Sequence, residues 1–241
     1  TPADITIATK FVKQLDKKCS SSKIKLPKKS YYLAVPDIFI PKLKEVSSGY
    51  IGSQNVSGVS LGQETGTTVP SMLLSGGADF AIIGHSEVRA RGETVDERAH
   101  KVALSLQSKL LTILCVGEHE RDKEGAYLAL LEEDVKQTLS LVARNLFDNL
   151  IIAYEPVWAI GGNTPATPHE CFEVVIALRR ALASIAGIDY AKKVHILYGG
   201  TVTTDNAKTF IQEGGVDGLL IGRASQEVST FSEIISSCHS K

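Results

Sequence analysis

Short uninterrupted apolar runs alternate along this chain with longer stretches whose apolar residues recur at helical spacing. The runs are Tyr31–Val35, Tyr50–Val56, Phe80–Gly84, Leu111–Val116, Leu150–Ala153, Val194–Tyr198 and Gly218–Ile221. Continuous apolarity, rather than strict alternation, is what a strand covered on both faces requires. Helices are predicted over Ile38–Val46, about Val69–Leu74, Val95–Lys109, Ala126–Ala143, Pro168–Ala186, Asp205–Glu213 and Val228–His239. The stripe Leu128, Leu131, Val135, Leu139, Val142 and the stripe Cys171, Val175, Leu178, Leu182 mark their buried faces. The chain also opens on a helix, with Thr1 as N-cap, Pro2 in the first position, Asp4 three residues after the cap, and Ile7, Phe11, Val12 and Leu15 following. Eight helices alternating with seven strands predict a parallel sheet covered by helices. No linker or shift in composition divides the chain, so residues 1–241 read as a single domain.

Sheets of this kind carry their chemistry at the C-terminal ends of the strands. The most informative end is the stretch Ile151–Pro168, in which an apolar run stops at Tyr154-Glu155-Pro156. Pro156 keeps Glu155 extended and prevents a helix from starting there. The loop Val157–Asn163 follows, and Thr167-Pro168-His169-Glu170 is the capping box of the next helix. Two readings fit: a structural carboxylate beside an ordinary β–α loop, or a base beneath a closing loop. Other strands deliver His85-Ser86-Glu87, Cys115-Val116-Gly117-Glu118, Tyr198-Gly199-Gly200-Thr201 and Gly222-Arg223-Ala224-Ser225. A His and a Glu on nearby strand tips can move a proton between them and a substrate. Glycine-bearing turns after the last two strands let backbone N–H groups approach phosphate oxygens, although a single Gly-Gly pair is equally explained as a tight turn. There is no metal-ligand spacing, dinucleotide or Walker fingerprint, and no Ser-His-Asp arrangement.

Composition narrows this further. A chain of 241 residues, 43% hydrophobic and 22% charged, can bury a large core. Lys+Arg is 26 against Asp+Glu 27, which gives no electrostatic case for nucleic acid or an anionic membrane. The one basic cluster, Lys17–Lys29, reads as a solvated helix end and loop. Cys19, Cys115, Cys171 and Cys238 are far apart and read as reduced thiols, and with no signal peptide this predicts a cytoplasmic location. No apolar run approaches the roughly 20 residues of a membrane span.

From its first helix to its last, the chain resembles triosephosphate isomerase. The resemblance rests on SQN at Ser53–Asn55, GHSE at Gly84–Glu87, CVGE at Cys115–Glu118 and AYEPVWAIG at Ala153–Gly161. TPATP at Thr164–Pro168, YGGT at Tyr198–Thr201 and VDGLLIG at Val216–Gly222 continue it in family order and spacing. It implies a (β/α)8-type barrel that interconverts dihydroxyacetone phosphate and glyceraldehyde 3-phosphate through an enediol(ate), without metal or cofactor. That family is itself the standard example of a Glu base, a neutral His electrophile and a water-excluding loop. The resemblance assigns Glu155 as the base, His85 as the electrophile and Glu87 as a supporting acid. It places Gly161, Thr201, Gly222 and Arg223 at phosphate-binding positions. It makes Gln63, Glu64 and Thr65 the tip of a loop that reaches into a second subunit of a homodimer.

The sequence departs from the family pattern at several points. Thr201 stands for the usual Ser, Arg223 for a second Gly, and Glu87-Val88-Arg89 for Glu-Arg-Arg, before a slightly shortened loop. The family's first strand, ending in Asn-Trp-Lys, has no counterpart in these residues, so seven of eight strands are expected. The expectation is an open slot between Tyr31–Val35 and Gly218–Ile221, a weakened, concentration-dependent dimer and an impaired isomerase. The alternative is a catalytically inactive barrel that binds a phosphate ligand or a protein.

Overall fold

The computed structural model describes residues 2, 4–22, 24, 26–27, 29–62, 64–160 and 165–239. The first helix, α1, spans Ile5–Ser20 and is capped by Asp4 rather than by Thr1. The Asp4 carboxylate accepts from the N–H groups of Thr6 and Ile7 at 2.7 and 2.9 Å. A carboxylate satisfies two orphan donors and also places negative charge at the positive end of the helix, which explains why the cap lies there.

Seven strands follow: β1 Tyr32–Val35, β2 Tyr50–Ser53, β3 Phe80–Ile83, β4 Leu111–Val116, β5 Leu150–Tyr154, β6 His195–Tyr198 and β7 Gly218–Leu219. They pair in parallel and in sequence order, so each neighbour is reached by a helical crossover. The crossovers contain α2 Ile40–Val46, α3 Pro70–Ser75, α4 Ser86–Arg89, α5 Val95–Gln107, α6 Ala126–Thr138, α7 Pro168–Ala186, α8 Ile188–Lys193 and α9 Ala207–Glu213, with α10 Val228–His239 closing the series. The sequence pattern does not reveal α4 and α8, because one turn of helix is too short to show a period. The helix expected to run to Ala143 ends at Thr138. Leu139 and Val142 remain buried beyond it, joined by a turn, so the apolar period outlasts the helix. Periodicity reports burial, and burial persists where the backbone has changed.

Side chains sort onto two faces of the curled sheet. Phe80, Ile82, Ile113, Cys115, Ile151 and Ala153 fill the concave interior. Ile51, Ala81, Ile83, Leu114, Val116, Ile152 and Ile196 pack outward against the helices. α1 packs against α10 over the interval between the two ends of the sheet, burying Leu15, Tyr31, Phe231 and Ile235 beside Leu33 and Ile221. Among the described residues no ladder joins β1 to β7, and Tyr32 on the inner side of β1 is 41% exposed. The helical layer therefore meets at this seam while the strand layer does not, as expected for an open slot. Among the described residues no helix is long and apolar enough to cross a membrane.

Candidate active site

The β4–β5 ladder carries Glu155 to the sheet's C-terminal rim. Its backbone N–H continues the ladder to the Val116 carbonyl at 2.7 Å, after which Pro156 turns the chain away. The Glu155 side chain is 1% exposed. Its Oε2 accepts from the Ser86 N–H at 2.8 Å, at the first residue of α4, and its Oε1 lies 3.4 Å from the Ser86 hydroxyl. His85 Nε2 is 3.2 Å from Oε1, and Arg89 Nη2 is 3.7 Å from Oε2. Burial pushes the Glu155 carboxyl pKa up, opposed in turn by His85, the Ser86 N–H, the Arg89 charge and the Ser86 hydroxyl. Cys115, from β4, faces the same niche; burial, and then the Glu155 charge, raises its thiol well above the ordinary value.

His85 caps α4, and its Nδ1 accepts from the Glu87 N–H at 3.3 Å. An accepting Nδ1 leaves the ring proton on Nε2, the nitrogen that faces Glu155. The site thus pairs a buried carboxylate with an imidazole that presents Nε2–H toward it. The Glu87 carboxylate itself is exposed, and among the described residues it makes no ion pair.

The segment after Pro156 is held by a network that the sequence reading left unassigned beyond the CVGE motif. Glu118 Oε1 accepts from Tyr154 Oη, Trp158 Nε1 and Arg121 Nε, each at 2.8 Å. Arg121 also donates to Tyr154 Oη at 2.7 Å. Burial, followed by the Glu118 charge, raises the Tyr154 phenol pKa. The Val157–Ala159 turn is therefore anchored at Trp158, and the Thr201 hydroxyl donates to the Ala159 carbonyl at 3.1 Å. Thr201 and the base of the loop expected to close are in direct contact.

The glycines divide by cause. A Cβ on Gly117 would stand 1.7 Å from the Glu155 carbonyl oxygen, and one on Gly199 3.1 Å from Glu155 Cγ. A Cβ on Gly200 would meet the Tyr198 hydroxyl at 2.2 Å. Close packing around Glu155 and Tyr198 is thus sufficient to require Gly117 and Gly200, while Gly199 is a tight but less strict fit. Gly222 has nothing within 4 Å of its Cβ direction, and both it and Arg223 are exposed. The Gly222 carbonyl accepts from the Ser225 N–H and hydroxyl at 3.0 and 2.7 Å, which fixes this turn. Gly161 and Gln63 lie outside the described residues. Glu64 and Thr65 are exposed in a loop closed at its base by Ser57 N–H to Thr68 carbonyl at 2.9 Å.

Comparison with known proteins agrees with this geometry. The model of the triosephosphate isomerase family matches residues 3–238. The triosephosphate isomerase of Thermoanaerobacter pseudethanolicus is 34% identical over 240 residues, covering 98% of this chain and 94% of that protein. That of Carboxydothermus hydrogenoformans is 39% identical, covering 79% of this chain and 77% of the relative. That of Caldanaerobacter subterraneus subsp. tengcongensis is 38% identical, covering 77% and 75%. With the family match spanning residues 3–238 and relatives at 34–39% identity covering most of both chains, this chain belongs to the triosephosphate isomerase family.

Proposed function

We propose that this chain isomerises a phosphorylated triose, interconverting glyceraldehyde 3-phosphate and dihydroxyacetone phosphate by proton transfer. The observation that carries the reading is the buried Glu155 carboxylate beside the His85 Nε2 donor. Glu155 removes the proton from the carbon next to the carbonyl, while the His85 N–H polarises the carbonyl oxygen. The pair of electrons from the C–H bond then forms the enediol(ate) double bond. The His85 Nε2 proton passes to the former carbonyl oxygen and the proton of the neighbouring hydroxyl replaces it on Nε2, while Glu155 returns its proton to the neighbouring carbon, so that hydroxyl and carbonyl exchange places. Thr201, Gly222, Arg223 and Gly161 bind the phosphate, with Glu87 supporting the His85 end. Support comes from the open space at Gly222 and from the contact between Thr201 and the Val157–Ala159 turn.

The exposed Glu64–Thr65 loop supports a homodimer that dissociates on dilution, and sedimentation showing a dimer that persists at nanomolar concentration would contradict this. The free cysteines among the described residues support a reducing, cytoplasmic setting.

The direct test is a coupled assay with glyceraldehyde 3-phosphate. Glu155→Gln should lower kcat by at least about 10²–10⁴, and His85→Ala should lower kcat more than it weakens binding of a phosphate ligand. Retention of the parent rate by Glu155→Gln would refute the assignment. A parent that binds inorganic phosphate but never turns over would point to a binding module instead.

A further inference from the structure

Glu155 lies in a niche whose second wall is an arginine. Arg89 leaves the last turn of α4 and is largely buried, its side chain 11% exposed. Its Nη1 donates to the Gly117 carbonyl at 2.8 Å, and its Nη2 stands 3.7 Å from Glu155 Oε2. That separation is an ion contact without a hydrogen bond, and Arg89 Nε and Nη2 are both buried without an acceptor. A guanidinium normally uses its fork of donors when it is taken out of water. Here one donor is spent on the backbone of the β4 loop, and the remaining edge is turned toward the carboxylate.

We propose that Arg89 is the counter-ion that keeps the buried Glu155 carboxylate ionised, and so able to accept a proton. The inference rests on the reading of Glu155 as the base, but its test does not require turnover. The neighbours of the carboxylate support it. His85 approaches through Nε2 from the end of β3, and Ser86 offers its N–H and hydroxyl from α4. Cys115 is a protonated thiol from β4, and Gly199 from the β6 loop adds only its backbone. The other nearby charges are engaged elsewhere: Glu93 with Lys101 at 2.6 Å, and Glu118 with Arg121 at 2.8 Å. Beside His85 and Ser86, Arg89 is the guanidinium that opposes the burial of Glu155. The last residue of α4 therefore has a functional reason to be charged, beyond holding Gly117. Arg89 is a positioning residue in this scheme, since it touches the base and not the reacting carbons.

The experiment is a carbon-13 NMR titration of the Glu155 side-chain carboxyl, assigned with Glu155→Gln, in the parent, Arg89→Gln and Arg89→Lys. Arg89→Gln keeps a donor for the Gly117 carbonyl but removes the charge, whereas Arg89→Lys keeps the charge. The Glu155 midpoint should rise by about one pH unit in Arg89→Gln, the low end of the effect of removing an adjacent cation, and stay near the parent value in Arg89→Lys. Equal midpoints in all three proteins, even with lower melting temperatures, would show that Arg89 only holds the loop and would overturn the proposal. If the variants do not fold, the parent still decides. The Arg89 guanidinium nitrogen-15 resonances should titrate together with Glu155, and their invariance across that midpoint would refute the coupling. Where turnover is measurable, the acid limb of kcat/KM should move with the NMR midpoint. A shifted midpoint in a chain without isomerase activity would leave Arg89 as counter-ion and remove the catalytic reading alone.

Discussion

The β3–β5 sector and the β7/β1 seam are built from the same kind of sequence but are held very differently. β4 and β5 share five paired positions, from Thr112↔Leu150 to Val116↔Tyr154, and all of β5 is buried. β7 is two residues long and pairs with β6 at only two positions, and β1 is paired on one side only. The sector carries the proposed acid–base pair, since His85 follows β3 and Glu155 follows β5. The proposed anion-binding turn at Gly222–Arg223 follows the seam strand β7. The Glu155–His85 pair is thus fixed by backbone packing, while the proposed phosphate turn rests on the least paired part of the sheet.

Glycine substitutions should expose this contrast most strongly. Gly117→Ala puts a Cβ 1.7 Å from the Glu155 carbonyl oxygen, so the two backbones must separate. A loss of at least about 2 kcal/mol is expected, together with a displaced Glu155. Gly222→Ala, with open space around it, should change stability by no more than about 0.5 kcal/mol. Chemical denaturation measures both, and similar losses would remove the distinction between sector and seam.

The seam should respond to a strand supplied from outside. Each unpaired edge presents backbone donors and acceptors, and Tyr32 and Leu219 are incompletely covered. An extended peptide with the family's first strand and its Asn-Trp-Lys end should raise the melting temperature by about 5–10 °C at a hundredfold excess over its Kd. Hydrogen exchange should slow in β1 and β7 and remain unchanged in β3–β5. No change in melting temperature at high excess would argue against an open slot.

A smaller effect concerns the sector alone. Burial raises the Glu155 pKa in the folded chain above its unfolded value. The unfolded chain then loses that proton first, so this group's contribution is complete below the unfolded value, about 4.3, and is lost as pH rises through the folded value. Glu155→Gln should therefore gain melting temperature over the parent as pH is raised from about 4 to neutrality. A constant difference across that range would mean that the carboxylate is not desolvated.

Much of this was legible in the residues, and the gaps have physical causes. Pro168–Ala186 was readable at both ends because Thr167 and Glu170 form a capping box and Gly187 follows. Glu155 was readable as a strand-tip carboxylate because Pro156 stops the element. The start of α1 was placed too early because Thr1 and Asp4 are both good caps, and only the contacts with Thr6 and Ile7 decide between them. The bonds from Ser86 and Arg89 to the Glu155 niche join residues far apart in sequence, and no period or local motif encodes such a meeting. Gly199 and Gly200 suggested an anion turn, but packing against Tyr198 is enough to select glycine at Gly200.

The central claim is that Glu155, held beside His85 in the continuous sector, moves the proton. Deuterium wash-in from D₂O to the carbon-bound positions of dihydroxyacetone phosphate, followed by proton NMR, measures that step directly. The account predicts wash-in catalysed by the parent chain and reduced by at least about 10²–10⁴ in Glu155→Gln; equal wash-in by the two proteins would contradict it.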